Sequence, residues 1–327
     1  MTPPAGGSVT QESGIDGVEP GGGAAARVED ERRQLISIAF RMLGTMAEAE
    51  DAVQEAFLRW YRLGEAERRQ VRSPGAWLTT ATSRVCLDML GSARVRRESY
   101  VGPWLPEPLP AHPAAVGSAD PEARAALNES VGMAMLVVME RMTAAERVAF
   151  VLHDVFAYPF DEIARTMRRS HDAVRQLASS ARRRVRESEA PQQVSGAHAE
   201  AVQAFLTAAS GGDLAELVAV LDPAVVLTSD GGGVVRAALN QIHGRDKAAR
   251  FILGVLQRRP DVSLVLGRSG NHEAVLLVDE SGVGGVVELR THGDRAVDVL
   301  IQWNPNKLTQ WRRSPDLTFA RYASSVE

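Results

Sequence analysis

Apolar residues fall at every third or fourth position over residues 27–43. Leu35, Ile36, Ile38, Ala39, Met42 and Leu43 therefore share one face and predict a helix that Gly44 is placed to close. The stretch AEAEDAVQEAFLRWYR repeats the pattern, with Ala49, Ala52, Val53, Ala56, Phe57 and Trp60 inward and Glu48, Asp51, Gln54, Glu55, Leu58 and Arg59 outward. Ser73 and Pro74 start a third helix, because proline at the first turn loses no hydrogen bond. It runs GAWLTTATSRVCLDMLGSARVRRE and grows steadily more basic through Arg84, Arg94, Arg96 and Arg97. Prolines then become too dense for helix in YVGPWLPEPLP, which predicts an extended linker and a domain boundary over residues 100–121. Two further helices are expected over 122–139 and 143–156, the second opened by a Thr143/Glu146 capping box.

From Tyr158 to Arg186 the pattern predicts two short helices around a tight turn at Arg168 and Arg169. Ser170 is a natural N-cap for the second, and Val174, Leu177, Ala178, Ala181 and Val185 form its inner stripe. After Pro191 the periodicity changes. Helices over 194–209, 213–221 and 246–256 are interspersed with the runs AVVLTSD, VSLVLGR, EAVLLVD, GVVELR and AVDVLIQW, which argues an α+β domain with one curved, antiparallel sheet. Residues 1–26 are rich in glycine and short of large apolar side chains, so disorder is expected there.

Composition changes this picture little. An apolar fraction of 45% in 327 residues suits a globular protein with two or three cores. The single cysteine, Cys86, excludes an internal disulfide and a cysteine-rich zinc site. No apolar run is long enough to span a membrane, and the N-terminus lacks a basic start followed by an apolar stretch, so a cytoplasmic location is expected. Charge matters locally rather than globally. The net value is −4, yet residues 161–186 hold eight arginines against three acids.

That excess sits on the helical pair. Its second helix would present Asp172, Arg175, Gln176, Ser179, Arg183 and Arg186, residue types able to read base edges in a major groove. The same spacing suits an ordinary amphipathic helix with a solvated basic face. Trp77, Thr79 and Thr80 could meet unstacked bases, although a core tryptophan fits Trp77 equally well. Trp104 and Leu105 are unusual in a linker unless they dock. Asp230, His243, His272 and His292 are the candidate acid–base groups of the C-terminal part, but no spacing converges them. Gly231, Gly232 and Gly233 after Asp230 permit a close backbone approach that a strand does not itself need.

AEAEDAVQEAFLRW, SPGAWLTTATSRVCLDML, the linker, TAAERVAFVLHDVFAYPFDEIARTM and SHDAVRQLASSARRRV, in that order, resemble an extracytoplasmic-function (group 4) bacterial RNA polymerase sigma factor over residues 27–186. YVGPWLPEPL, SDGGG and NPNKL resemble the subgroup carrying a SnoaL-like C-terminal extension. Asn306 stands where that subgroup commonly has Asp, and Arg168 where related sequences often have Gly, so a positive φ there would strain Arg168. The resemblance implies a multidomain fold with two all-α sigma domains. These are a region 2 helical bundle (27–99) and, after the linker, a region 4 helix-turn-helix (122–190). An α+β SnoaL-like domain, a cone of the cystatin/NTF2-like kind, follows over 194–327.

The implied function is promoter-specific transcription initiation, modulated in cis by the C-terminal domain. The implied partners are core RNA polymerase and promoter DNA, with a possible small-molecule ligand in the C-terminal domain and no membrane. No cofactor, metal or catalytic residue is implied. By position, Asp51, Gln54, Glu55 and Leu58 would bind polymerase. Trp77, Thr80, Arg84, Arg94, Arg96 and Arg97 would face melted promoter DNA, and Ser170, Asp172, Arg175, Gln176, Ser179, Arg183 and Arg186 the upstream element. Trp104, Leu105 and Pro106 would meet Asp230, Gly231, Gly232, Gly233, Asn304, Pro305 and Lys307 between domains. The alternative is a ligand-responsive helix-turn-helix regulator with a binding or enzymatic C-terminal domain, for which an acidic clamp helix has no use.

Overall fold

In a computed structural model the described residues are 22–110, 132–188 and 195–312, and the side chains of 22–30, 93–98 and 195 are outside the description. The leader up to residue 21, part of the expected helix at 122–131 and residues beyond 312 therefore lie outside the described residues. Helices α1 (Gly22–Leu43), α2 (Met46–Arg62), α3 (Glu65–Gln70) and α4 (Pro74–Glu98) form the first bundle. α1 begins five residues before the expected position 27, because Ala24, Ala25 and Ala26 are the best helix formers available. Gly44 takes φ 87 and ends α1, and the Thr45 hydroxyl caps α2 through the Glu48 amide.

The second helical unit comprises α5 (Met133–Met139), α6 (Ala144–Phe150), α7 (Phe160–Met167) and α8 (His171–Glu187). The Thr143/Glu146 capping box forms, with N···O distances of 3.2 and 2.8 Å. The helix expected to continue to 156 changes at Phe150 into a π-turn, Val151–Val155, and Ala157 follows at φ 56. Both helical units share one core: Ile38, Met42, Leu78 and Val85 pack in the same cluster as Leu152, Ile163, Met167 and Val174.

The C-terminal domain has α9 (Ser195–Gly211), α10 (Leu214–Ala219) and α11 (Arg245–Gln257) against a six-stranded sheet. The strands are β1 (Leu221–Asp230), β2 (Ile242–His243), β3 (Ser263–Ser269), β4 (His272–Asp279), β5 (Gly282–His292) and β6 (Arg295–Gln302), in the order β2-β1-β6-β5-β4-β3. The sheet is not wholly antiparallel as expected, because β1 and β6 run parallel. β1 also starts at Leu221, which the sequence assigned to a helix end. Its register shifts before Val226, where Pro223 cannot donate to the ladder. A 3₁₀ turn, Pro305–Lys307, and the short α12 (Thr309–Arg312) close the domain. The face packed against α9, α10 and α11 holds a second core that includes Phe205, Ile252, Val299 and Trp303, while Leu308 and Trp311 cover part of the other face.

Candidate nucleic-acid and polymerase interfaces

The helix-turn-helix is built by local rules. Ser170 Oγ accepts the Ala173 amide at 3.2 Å, which starts α8, and Val174, Ala178 and Ala181 are buried beneath it. The remaining face is open: Asp172, Arg175, Gln176, Ser179, Arg183 and Arg186 are all exposed, as is Ser170 at the cap. Arg168 occupies the turn at φ 53, ψ 47, the left-handed conformation that favours glycine. Glu146 fixes α8 from below, accepting from Ser180 Oγ at 2.6 Å with Arg184 at 3.3 Å. Burial would push the Glu146 carboxyl up, but the hydrogen bonds from Ser180 and Thr143, with the Arg184 charge, outweigh it and lower it to about 2.

On α2, Asp51, Gln54 and Leu58 are exposed, Leu58 at 44%, and Glu55 pairs with Arg59 one turn on at 2.8 Å. A solvent-facing acidic strip with an uncovered leucine results. The α4 face is arranged differently. Arg84 donates to the backbone carbonyls of Thr166 (2.9 Å) and Arg165 (3.0 Å), and Thr80 meets the Thr166 hydroxyl at 3.3 Å. Thr79 is buried against the Tyr158 hydroxyl. The expected single-strand face is thus turned against α7 in this conformation. Sequence periodicity cannot reveal that, because it reports which face is apolar and not which neighbour covers a polar one. Trp77 borders a cleft of about 480 Å³ between the two units and packs on Trp60 with ring centroids 5.3 Å apart. Arg94, Arg96 and Arg97 lie on α4, but their side chains are outside the described residues.

The linker is held by a buried polar knot. Asp230 is fully buried and accepts from the Tyr100 hydroxyl (2.7 Å), the Leu105 amide (2.9 Å), the Gly232 amide (2.9 Å) and Lys307 Nζ (2.8 Å). Lys307 also donates to the Leu105 carbonyl at 2.6 Å and lies 4.2 Å from the Trp104 ring centroid. Gln302 Nε2 reaches the Pro106 carbonyl at 3.0 Å, and Trp311 Nε1 the Pro108 carbonyl at 2.8 Å. The glycines have a steric reason. A Cβ on Gly231 would strike the Val235 carbonyl and one on Gly232 the Asn304 amide, while Gly232 and Gly233 both have positive φ. Asn304 Nδ2 donates to Tyr100, and Pro305 opens the 3₁₀ turn that carries Lys307. Asn306 is exposed and its backbone amide donates to Asn304 Oδ1, so a charge at this position is not needed for the Asp230–Lys307 pair.

Contacts that sequence reasoning did not reach tie the linker and sheet to the helical units. Glu107 accepts the Met46 amide at 2.8 Å, and its own amide donates to the Gly44 carbonyl at 2.8 Å. Buried Glu288 on β5 accepts from Ser269 and from the amides of Met133 and Ala134, and Arg290 donates to the Ser188 carbonyl at 2.8 Å. Leu105, Met133 and Leu300 form one small buried cluster. Acidic residues amid prolines or on a strand ordinarily read as solvated, so Glu107 and Glu288 left no sequence signal.

The candidate acid–base groups do not assemble. Asp230 belongs to the linker knot, His243 and His292 are exposed, and His272 faces His198 at 6.2 Å between ring centroids. Cys86 is buried, and burial pushes its thiol far above the ordinary range. Among the described residues, no helix is long and apolar enough to cross a membrane.

The sequence matches the Sigma-70 region 2 family over residues 27–96 and the Sigma-70 region 4 family over residues 132–185. ECF RNA polymerase sigma factor SigJ of Mycobacterium tuberculosis (strain ATCC 25618 / H37Rv) is 40% identical over 299 residues, 85% of this chain and 91% of that protein. A probable ECF RNA polymerase sigma factor SigI of Mycobacterium tuberculosis (strain CDC 1551 / Oshkosh) is 36% identical over 286 residues, 86% and 93% of the two chains. The crystal structure of the Mycobacterium tuberculosis extracytoplasmic function sigma factor SigJ is similar with a TM-score of 0.68 at 35% identity, covering 88% of this chain and 98% of that one.

Proposed function

The chain belongs to the extracytoplasmic-function RNA polymerase sigma factors, and from that membership we propose that its C-terminal domain is SnoaL-like and that its surfaces divide the work of starting transcription. The acidic face of α2, with Asp51, Gln54, Glu55 and Leu58, binds core polymerase through its charges and its uncovered leucine. Arg175, Gln176, Ser179 and Arg183 read the upstream promoter element from the open face of α8, with Ser170, Asp172 and Arg186 at its ends. Trp77, Thr80 and Arg84, followed by Arg94, Arg96 and Arg97, meet the melted strand. Since Thr80 and Arg84 are engaged by α7, regions 2 and 4 separate before that strand is read.

The C-terminal domain acts in cis as a brace rather than as an enzyme or ligand sensor. The observation that carries this reading is the fully buried Asp230–Lys307 pair closed on the Leu105 backbone, which ties the linker to the sheet. The test of the polymerase assignment is co-purification of the Asp51→Ala/Glu55→Ala variant with core enzyme and run-off transcription from a promoter upstream of the protein's own operon. Polymerase binding and transcripts fall together with the fold intact; undiminished co-purification overturns the assignment.

A further inference from the structure

Two carboxylates outside the linker knot remain unexplained by DNA or polymerase binding. Glu107 is 3% exposed, and one of its oxygens takes the first free amide of α2, at Met46. The preceding Gly44 carbonyl takes the Glu107 amide, so linker and turn are joined twice. Trp104 reinforces the joint, since a Cβ on Gly44 would lie 2.9 Å from its ring. Glu288 is also 3% exposed and holds the Met133 and Ala134 amides, with His272 packed over Gly132 beside it. In both residues the second carboxylate oxygen, Oε1, is buried without a hydrogen-bond partner.

A buried carboxylate with a free oxygen is costly to keep for stability alone, and an apolar or amide side chain would serve a purely structural joint better. We propose that Glu107 and Glu288 are positioning residues of the transcription function: Glu107 sets the turn that aims α2 and Glu288 sets the start of region 4, so the linker and the sheet orient both halves of the promoter reader. This rests on the reading of the C-terminal domain as a brace in cis, and it names the two joints through which the brace acts.

The joints are linked to protons. Burial pushes both carboxyls up to about 7, against the Met46 hydrogen bond and Lys307 charge at Glu107, and against the Ser269, Ala134 and Met133 hydrogen bonds at Glu288. Glu50 also faces Glu107 and raises it further. A carboxyl raised on docking binds its proton more tightly when docked. Docking therefore strengthens as pH falls through about 7 toward the ordinary 4.5. His272 and His198 beside Glu288 act oppositely. Burial lowers both, while Glu273 pushes both up and Arg268 lowers His272 further, so their contribution is lost below about 6.5. Docking is then tightest on the mildly acidic side of neutrality.

The test is amide-resolved hydrogen exchange of the full-length chain between pH 5 and 8, corrected for intrinsic rates, for Glu107→Ala, Glu288→Ala, Glu107→Gln and Glu288→Gln. Each Ala variant should speed exchange by about tenfold at its own amides, Met46 or Met133 and Ala134. The Gln variants keep the acceptor, so protection returns, but they lose the arm of the pH profile near 7 while the histidine arm persists. Unchanged exchange in the Ala variants, or Gln variants with the wild-type pH profile, would overturn the proposal. Run-off transcription with the same proteins separates the two levels. Altered exchange with unaltered transcription would also overturn the proposal, because the two joints would then serve the fold and not initiation.

Discussion

Asp230→Ala is the most informative single perturbation of the linker knot. It removes one partner of an ion pair whose side chains are 0% and 8% exposed, and it leaves the buried Lys307 without its nearest carboxylate. Losing one partner of such a pair costs about 3–5 kcal/mol, because the remaining charge is left buried and unpaired. Asp230 also serves the Tyr100 hydroxyl and the Leu105 and Gly232 amides, and hydrogen bonds to a charged acceptor contribute about 1.5–3 kcal/mol each. Those terms do not add to the first. Releasing residues 100–110 rehydrates Lys307 and all three donors at once, so the observable loss is capped by the cost of undocking the linker. Lys307→Met strands Asp230 in the same way, and the double variant Asp230→Ala/Lys307→Met leaves neither charge buried.

Urea titration followed by far-ultraviolet circular dichroism reads the cycle. Each single variant should lose about 3–5 kcal/mol, and the double should fall short of their sum by about 1–3 kcal/mol. Single losses under about 0.5 kcal/mol, or strict additivity, would refute the reasoning, because an ordinary surface pair behaves that way.

Other outcomes follow from local geometry. Arg168→Gly relieves a left-handed backbone and should stabilise region 4 by about 0.5–1 kcal/mol in thermal unfolding; a net loss would show that the arginine side chain contributes more than its strain costs. Tyr158→Phe removes a hydroxyl that lies 3.3 Å from Thr79 and 3.4 Å from Gln34. Regions 2 and 4 should loosen by about 0.5–1 kcal/mol, and single-stranded promoter DNA should bind two- to fivefold more tightly, whereas equal affinity would argue that the contact is not a barrier. Arg175→Ala should cost about 1–3 kcal/mol on the cognate upstream element and relax specificity there; an equal loss on every sequence would mark it as a phosphate contact. Glu146 is held below its ordinary 4.5, so it adds stability above that value that is lost as pH falls toward 2. A Glu146→Gln variant should show a flatter acid-unfolding profile, and an unchanged slope would refute the role.

Much of the local structure could be read from the chain, because caps and periodicities act over a few residues. Gly44, Ser170 and the Thr143/Glu146 box end or begin helices where their chemistry requires, and the inward stripes of α2 and α8 pack on the core, although Phe57, Trp60, Leu177 and Val185 are only partly buried. What escaped was set by partners distant in sequence. The parallel pairing of β1 with β6 joins Val226 to Asp298, and only closure of the sheet decides it. Thr80 and Arg84 have the polar character of a DNA face, and the same character suits the Thr166 hydroxyl and the α7 carbonyls that they meet here. The glycines of DGGG signalled a close approach, and NPNKL was legible only through its resemblance to a known motif. The meeting of Leu105 with Asp230 was expected; the partners that left no signal are Tyr100 in the linker and Gln302 on β6, which bond Asp230 from positions distant in sequence.

The central claim is that the C-terminal domain governs initiation by gripping the linker. It is tested most directly by run-off transcription with purified core polymerase, comparing wild type with Asp230→Ala at protein concentrations that saturate core enzyme. A coupling of at least about 1 kcal/mol predicts a change in promoter-dependent transcript of about fivefold or more, with core binding unchanged. Equal transcript from both proteins, with the linker shown by fast hydrogen exchange of the Leu105 amide to be released in the variant, would contradict the account.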